Sequence, residues 1–236
     1  MKGMIETAIQ VHTGVVAPTV FVSDLHMGAG GKADDFDEDN FECFWASIPE
    51  GWRIVILGDM LELWQFRLWD ICLHRTGWLR KIVESHADVV FGNHDWALIN
   101  VQALSSITCG VIYAEHGHQA DIWNSRLKEA GSLATRLGGL LERLGWQVDE
   151  YRRTQAWMER VTGRGGNVDY IGSGAAQPAL MHKQIYVFGH THQPFLKQGY
   201  AGHVFANCGS WVKNPREQSA IVAREDRIEL IRERIE

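Results

Sequence analysis

Five short stretches of the 236-residue chain concentrate side chains able to hold a metal ion or move a proton. They are Asp24-Leu25-His26, Gly58-Asp59, Gly92-Asn93-His94-Asp95, His116-Gly117-His118 and Gly189-His190-Thr191-His192. Any one of them is weak, since a lone His or a Gly-Asp pair more often serves a capped turn or a solvated loop. Together they offer carboxylate, imidazole and amide oxygen, a borderline-hard ligand set suited to manganese, iron or zinc. Two ions need about eight such donors, counting shared ones, and the five stretches provide them. Their glycines also have a physical use, because a loop folding back against a bound phosphate needs positive φ or close backbone approach.

Each stretch follows directly on a β-rich run, which is where α/β sheets place their ligand sites. The runs are Thr19 to Ser23, Arg53 to Leu57, Asp88 to Phe91, Val111 to Glu115 and Gln184 to Phe188, with a further one at His203 to Ala206. Helical spacing over Phe41 to Ser47 and Leu61 to Ser85 turns the pattern into α/β layers. Ala220 to Ala223 and Arg227 to Ile231, around Glu225-Asp226, predict a closing hairpin. Between Ile122 and Trp146 the residues Leu127, Ala130, Leu133, Leu137, Leu140, Leu141 and Leu144 predict a long amphipathic helix. A second helix is expected over Gln155 to Val161, then a Gly-rich loop over Gly163 to Gly174. Residues 120–181 therefore read as a helical insertion or cap within one domain spanning residues 1–236.

Composition fits one ordinary core, with 45% hydrophobic and 22% charged residues. No stretch reaches the roughly 18 apolar residues needed to cross a bilayer, and Met1 to Val22 lacks a leader pattern, so a cytoplasmic location is expected. Cys43, Cys72, Cys109 and Cys208 form no CxxC pair, which argues against a thiolate zinc site and a disulfide framework. A net charge of −6 argues against a protein that grips nucleic acid through its phosphates, so no stable nucleic-acid complex is expected. The segment Asp121 to Lys183 holds nine Lys/Arg against seven Asp/Glu, and any anion-gripping surface is expected there.

In order and content the five stretches resemble the blocks of calcineurin-like metallophosphoesterases: D-x-H, G-D, G-N-H-D/E, H with a following glycine, and G-H-x-H. The resemblance runs from Asp24 to His192, outside the insertion. It implies an α/β fold, a four-layer α/β/β/α sandwich, and two divalent metal ions, manganese first, with iron or zinc as alternatives. Position by position it implies that Asp24, His26 and His192 bind one ion, that Asn93, His116 and His190 bind the other, and that Asp59 bridges both. His94 would stabilise the transition state or protonate the leaving oxygen. His118 is expected to orient a ligand or touch substrate. Asp95 either orients a nearby His or fixes its loop. Two cations roughly 3.5–4 Å apart hold a bridging hydroxide and clamp the phosphoryl oxygens during in-line attack, so the implied activity is hydrolysis of a phosphoester or pyrophosphate.

Gly58-Asp59-Met60-Leu61-Glu62-Leu63-Trp64, the His116 block and Asn207-Cys208-Gly209-Ser210-Trp211 are similar to the branch containing UDP-2,3-diacylglucosamine hydrolases. That branch splits a pyrophosphate in lipid A synthesis and carries a helical insertion before its last block. Basic residues Arg126, Arg136, Arg152 and Arg153 on such an insertion would suit an anionic lipid, with Arg126 and Arg152 as substrate contacts beside His118. The implied partner is a phosphorylated small molecule or a lipid-nucleotide, with peripheral contact at the inner membrane face through the insertion. The chain departs from the branch in having His94 in place of Arg and His118 in place of Asp. A phosphodiesterase or phosphatase acting on nucleotides or small phosphoesters is therefore the alternative, and a protein-binding scaffold is the reading from another class. Elsewhere, Asp34 to Asp39 reads as a solvated loop, His12, His74, His86, His182 and His203 as surface or satisfied core, and Trp64, Trp69 and Trp78 as packing groups.

Overall fold

Continuous β-branched and aromatic runs bury strands on both faces, and their pairing gives two sheets. In a computed structural model, residues 4–95, 97–98, 103–118, 183–199, 202–213 and 217–234 are described. The expected insertion at residues 120–181, including Arg126 and Arg152, lies outside them. From edge to edge the first sheet runs β1 (Met4–Gln10), β11 (Arg227–Arg234), β10 (Glu217–Arg224), β2 (Thr19–Val22), β3 (Arg53–Leu57) and β4 (Asp88–Val90). The second runs β5 (Ser106–Cys109), β6 (Ile112–Glu115), β7 (Ile185–Phe188), β9 (Val204–Asn207) and β8 (Phe195–Gln198). Strands β2, β3 and β4 are mutually parallel, as are β6, β7 and β9. The remaining pairings are antiparallel, and the expected C-terminal hairpin is β10 with β11.

Alternation along the strands sorts the core into layers, because successive side chains leave opposite faces of a sheet. Phe21, Val55, Leu57 and Val90 point between the sheets, against Ile112, Ala114, Ile185, Val187, Val204 and Ala206. Val20, Val22 and Ile56 point outward onto the helices α1 (Glu38–Ser47), α2 (Leu68–His74) and α3 (Thr76–Glu84). Those helices bury Phe41, Phe44, Ile71, Trp78 and Ile82. The outer face of the second sheet carries buried Tyr186, Phe188 and Phe205. Three layers of the expected α/β sandwich are thus described, helices on sheet on sheet.

Two local expectations change. The helical spacing over Leu61 to Ser85 resolves into two short helices separated at Arg75, preceded by an irregular segment that borders the site. Arg75 breaks the run because its buried guanidinium is drawn back to Asp34, Glu38 and the Gly28 carbonyl. Asp34 is consequently buried rather than solvated, and its carboxylate also accepts the N–H groups of Gly28, Gly30 and Phe36. Trp64 and Trp78 pack as expected, whereas Trp69 is 71% exposed.

Candidate metal centre

The parallel strands of both sheets end at one edge, and the five stretches are the loops that leave those ends. Their backbones stay joined: Asp24 N–H donates to the Gly58 carbonyl at 3.1 Å, His26 N–H to Asp59 at 2.8 Å, and Gly189 N–H to His116 at 3.1 Å. Among the described residues six that are not glycine have positive φ, and five of them are Asp24, His26, Asp59, His190 and His192. Such a conformation costs a side-chain-bearing residue about 1–2 kcal/mol, and it persists where the surroundings over-determine it. In Asp24-Leu25-His26 it sends Leu25 into the helix-side core while both polar side chains face the edge.

Two glycines permit the closeness of these loops. A Cβ on Gly92 would lie 2.1 Å from Asp59 Oδ1, and one on Gly189 would lie 2.7 Å from Asp24 Oδ2. Each glycine thus makes room for the carboxylate of a different stretch.

The side chains have one end tied down and the other turned to a common centre. Asp24 Oδ2 accepts the His190 N–H at 2.9 Å, and Asp59 Oδ1 accepts the His94 N–H at 2.8 Å. The opposite oxygens face imidazoles: Asp24 Oδ1 lies 3.2 Å from His192 Nε2, while Asp59 Oδ2 lies 3.2 Å from His116 Nε2 and 3.8 Å from His26 Nε2. His116 Nδ1 is 2.7 Å from the Leu57 carbonyl, an acceptor only, so this nitrogen donates and Nε2 is the end turned to Asp59 and to Asn93 Oδ1 at 3.1 Å. His26 Nδ1 is likewise held by Glu62 Oε2 at 2.8 Å, and its Nε2 approaches His192 Nε2 to 3.2 Å. Among the described residues three groups able to hold a cation result: Asp24 with His26 and His192, Asp59 with His116 and His190, and His26 with Glu62 and His94. Asn93 joins the second through His116.

Burial opposes charge here; the pairing prevails at the two carboxylates and at His116, whereas burial holds His192 below the usual histidine range. The Asp24 carboxyl is held below the usual carboxylate range by His192 and His116, and that of Asp59 by His116 and His94. Reciprocally, Asp59 and Asp24 push His116 up to about 9. A divalent cation fits this donor set. Asp24 Oδ1 is buried without a hydrogen bond, two imidazole nitrogens face each other at 3.2 Å, and Asp59 Oδ2 lies between His26 and His116.

Around this centre stand groups without a place in it. His94 Nδ1 is 2.7 Å from Glu62 Oε2, and its ring stacks on Trp64 with centroids 3.9 Å apart. His118 lies beside His116, ring centroids 5.5 Å apart, and near Phe91. Asp95 accepts the N–H groups of Gly92, Met60 and Leu61, which makes it the fixer of two loops. Glu62, 4% exposed, escapes a reading of the sequence. Its partner His26 is 36 residues away, and the segment between Asp59 and Trp64 has no helical period to betray a shared face.

No family model and no curated protein matches the chain. Solved structures similar to it include a dimetal phosphatase from Danio rerio, at 12% identity over 94% of this chain and 98% of that one, with a TM-score of 0.49. Vacuolar Protein Sorting 29 from Cryptosporidium parvum is 14% identical over 93% and 92%, with a TM-score of 0.47. A metallophosphoesterase from Sphaerobacter thermophilus is 13% identical over 93% and 89%, with a TM-score of 0.46. All three scores lie below 0.5, and these likenesses carry no weight for function.

Proposed function

We propose that the chain is a hydrolase of phosphoesters or phosphoanhydrides that works with two divalent metal ions. The supporting observation is the convergence, at one edge shared by two sheets, of Asp24 Oδ1, Asp59 Oδ2 and the Nε2 atoms of His26, His116 and His192. Asp24, His26 and His192 are proposed to hold one ion, Asn93, His116 and His190 the other, with Asp59 between them. Bound there, the ions supply Lewis acidity toward a phosphoryl group and a water made acidic near neutral pH. The chain's own part is to fix these donors before the reaction, through N–H groups for the carboxylates and through the Leu57 carbonyl and Glu62 for the imidazoles. As an imidazolium with Nδ1–H given to Glu62, His94 would have Nε2–H left to donate a proton to the leaving oxygen or a hydrogen bond to the phosphoryl group.

For the substrate we favour a UDP-linked acyl sugar, on the sequence likeness of the Gly58 to Trp64 and Asn207 to Trp211 stretches. Small phosphodiesters or monoesters are the alternative, and His118, Arg126 and Arg152 are proposed substrate contacts. The test is hydrolysis of bis-p-nitrophenyl phosphate, p-nitrophenyl phosphate and a UDP-linked acyl sugar after manganese loading, beside an Asp59→Ala control. Metal-dependent turnover that vanishes in the control is expected, and the preferred substrate chooses among diester, monoester and pyrophosphate. A protein that binds its metals and turns over none of the three would return the scaffold reading.

A further inference from the structure

We infer that Asn207 is a positioning residue for both ions: its buried side-chain amide clamps the loop 189–192 in the shape that sends His190 and His192 to different ions. The inference rests on the two-metal reading. Asn207 ends β9, opposite Phe188 at the end of β7, and is 1% exposed. The Cys208 N–H still donates to the Phe188 carbonyl at 2.8 Å, and the Asn207 side chain then carries the pairing into the loop. Its Nδ2 donates to the Gly189 carbonyl at 2.6 Å and to Thr191 Oγ1 at 3.1 Å, while Oδ1 accepts the Gly209 N–H at 2.9 Å. A carbonyl only accepts and a backbone N–H only donates, so the amide stands one way round.

The loop it holds contains two residues in a costly backbone conformation. The Thr191 N–H also donates to the Gly189 carbonyl at 2.8 Å, which puts His190, at φ 67°, in the middle of a three-residue turn. The positive-φ form of that turn is the rare and strained one. His192 follows at φ 54°. The His190 ring meets that of His116 with centroids 5.2 Å apart, whereas His192 Nε2 lies 3.2 Å from Asp24 Oδ1. Four residues thus serve two cation groups, and strain of this kind persists only where the surroundings over-determine it. Asn207 grips the turn at both ends of its strained part, the Gly189 carbonyl before His190 and the Thr191 hydroxyl before His192.

Asn207→Asp is the discriminating variant, because it keeps the shape and the acceptor for Gly209 but sets a carboxylate oxygen against the Gly189 carbonyl. Thr191→Val removes the hydroxyl at nearly constant shape, and Thr191→Ser restores it. Val204→Ala, a buried truncation at the far end of the same strand, controls for loss of stability alone. The experiment is calorimetric titration of each metal-free protein with manganese, beside urea denaturation. Wild type should bind two ions. Asn207→Asp should bind both roughly 10- to 100-fold more weakly, the loss expected when the support behind a ligand is removed. Thr191→Val should weaken both in the same direction, Thr191→Ser should regain the wild-type affinities, and Val204→Ala should lose stability with both affinities kept. Unchanged affinities in folded Asn207→Asp, a loss confined to one ion, or an equal loss in Val204→Ala would overturn the inference. If Asn207→Asp does not fold, wild-type affinities in Thr191→Val overturn it instead. Wild type that binds fewer than two ions would defeat the two-metal reading itself, a separate failure.

Discussion

Asp95 and Glu62 show how far residue type alone carries the argument. Both are buried carboxylates near the site, and they differ in what they accept: Asp95 takes backbone N–H groups at 2.6, 2.7 and 3.2 Å, whereas Glu62 takes two imidazoles. Asp95→Asn would turn an NH2 toward at least one of those backbone donors. An expected loss of about 1–3 kcal/mol in stability follows, read by urea denaturation of the metal-free protein. The proposed ligands were legible because Asp24, His26, Asp59, Asn93, His116, His190 and His192 sit in short blocks directly after strand-like runs. Glu62 was not, since its role is defined by two partners that come from other loops. Burial alone would raise the Glu62 carboxyl, but His94 and His26 outweigh it and bring it to about 2.

Among the elements, the strands that carry the blocks were readable from their apolar runs to within a residue or so at each end. The strands that escaped were β1, β5 and β8, all at sheet edges. An edge strand needs no apolar run on both faces, and Phe195–Gln198 ends in exposed Lys197 and Gln198. The helical spacing over Leu61 to Ser85 is carried by two short helices, with a break at Arg75, whose guanidinium is paired with buried Asp34. How closely loops approach is a property of the elements too, and Gly92 tests it. Gly92→Ala would set a Cβ 2.5 Å from the Asp59 backbone nitrogen and 2.1 Å from Oδ1, so the Asp59 loop must shift. The expected cost is about 1–3 kcal/mol in stability together with weaker metal binding, measured by denaturation and by manganese titration.

For the whole molecule, the proposed ligands come from both sheets. Asp24, His26, Asp59 and Asn93 leave the first, while His116, His190 and His192 leave the second. Cations bound between them would tie the sheets together, so chelation should destabilise the fold. At a free metal concentration 100 times Kd, one ion contributes about 2.7 kcal/mol, or roughly 5–10 °C in Tm for a chain of this size, and calorimetry with and without chelator measures it. That β10 lies beside β2 in the first sheet was not legible in the sequence, because the two strands are some 200 residues apart and no local pattern records their pairing. The most direct test of the two-metal reading is bis-p-nitrophenyl phosphate turnover measured as manganese is added in known equivalents to metal-free protein. Turnover that rises as the second equivalent binds, and that is absent in Asp59→Ala, is the predicted result. Turnover without bound metal, or none with two ions bound, would contradict it.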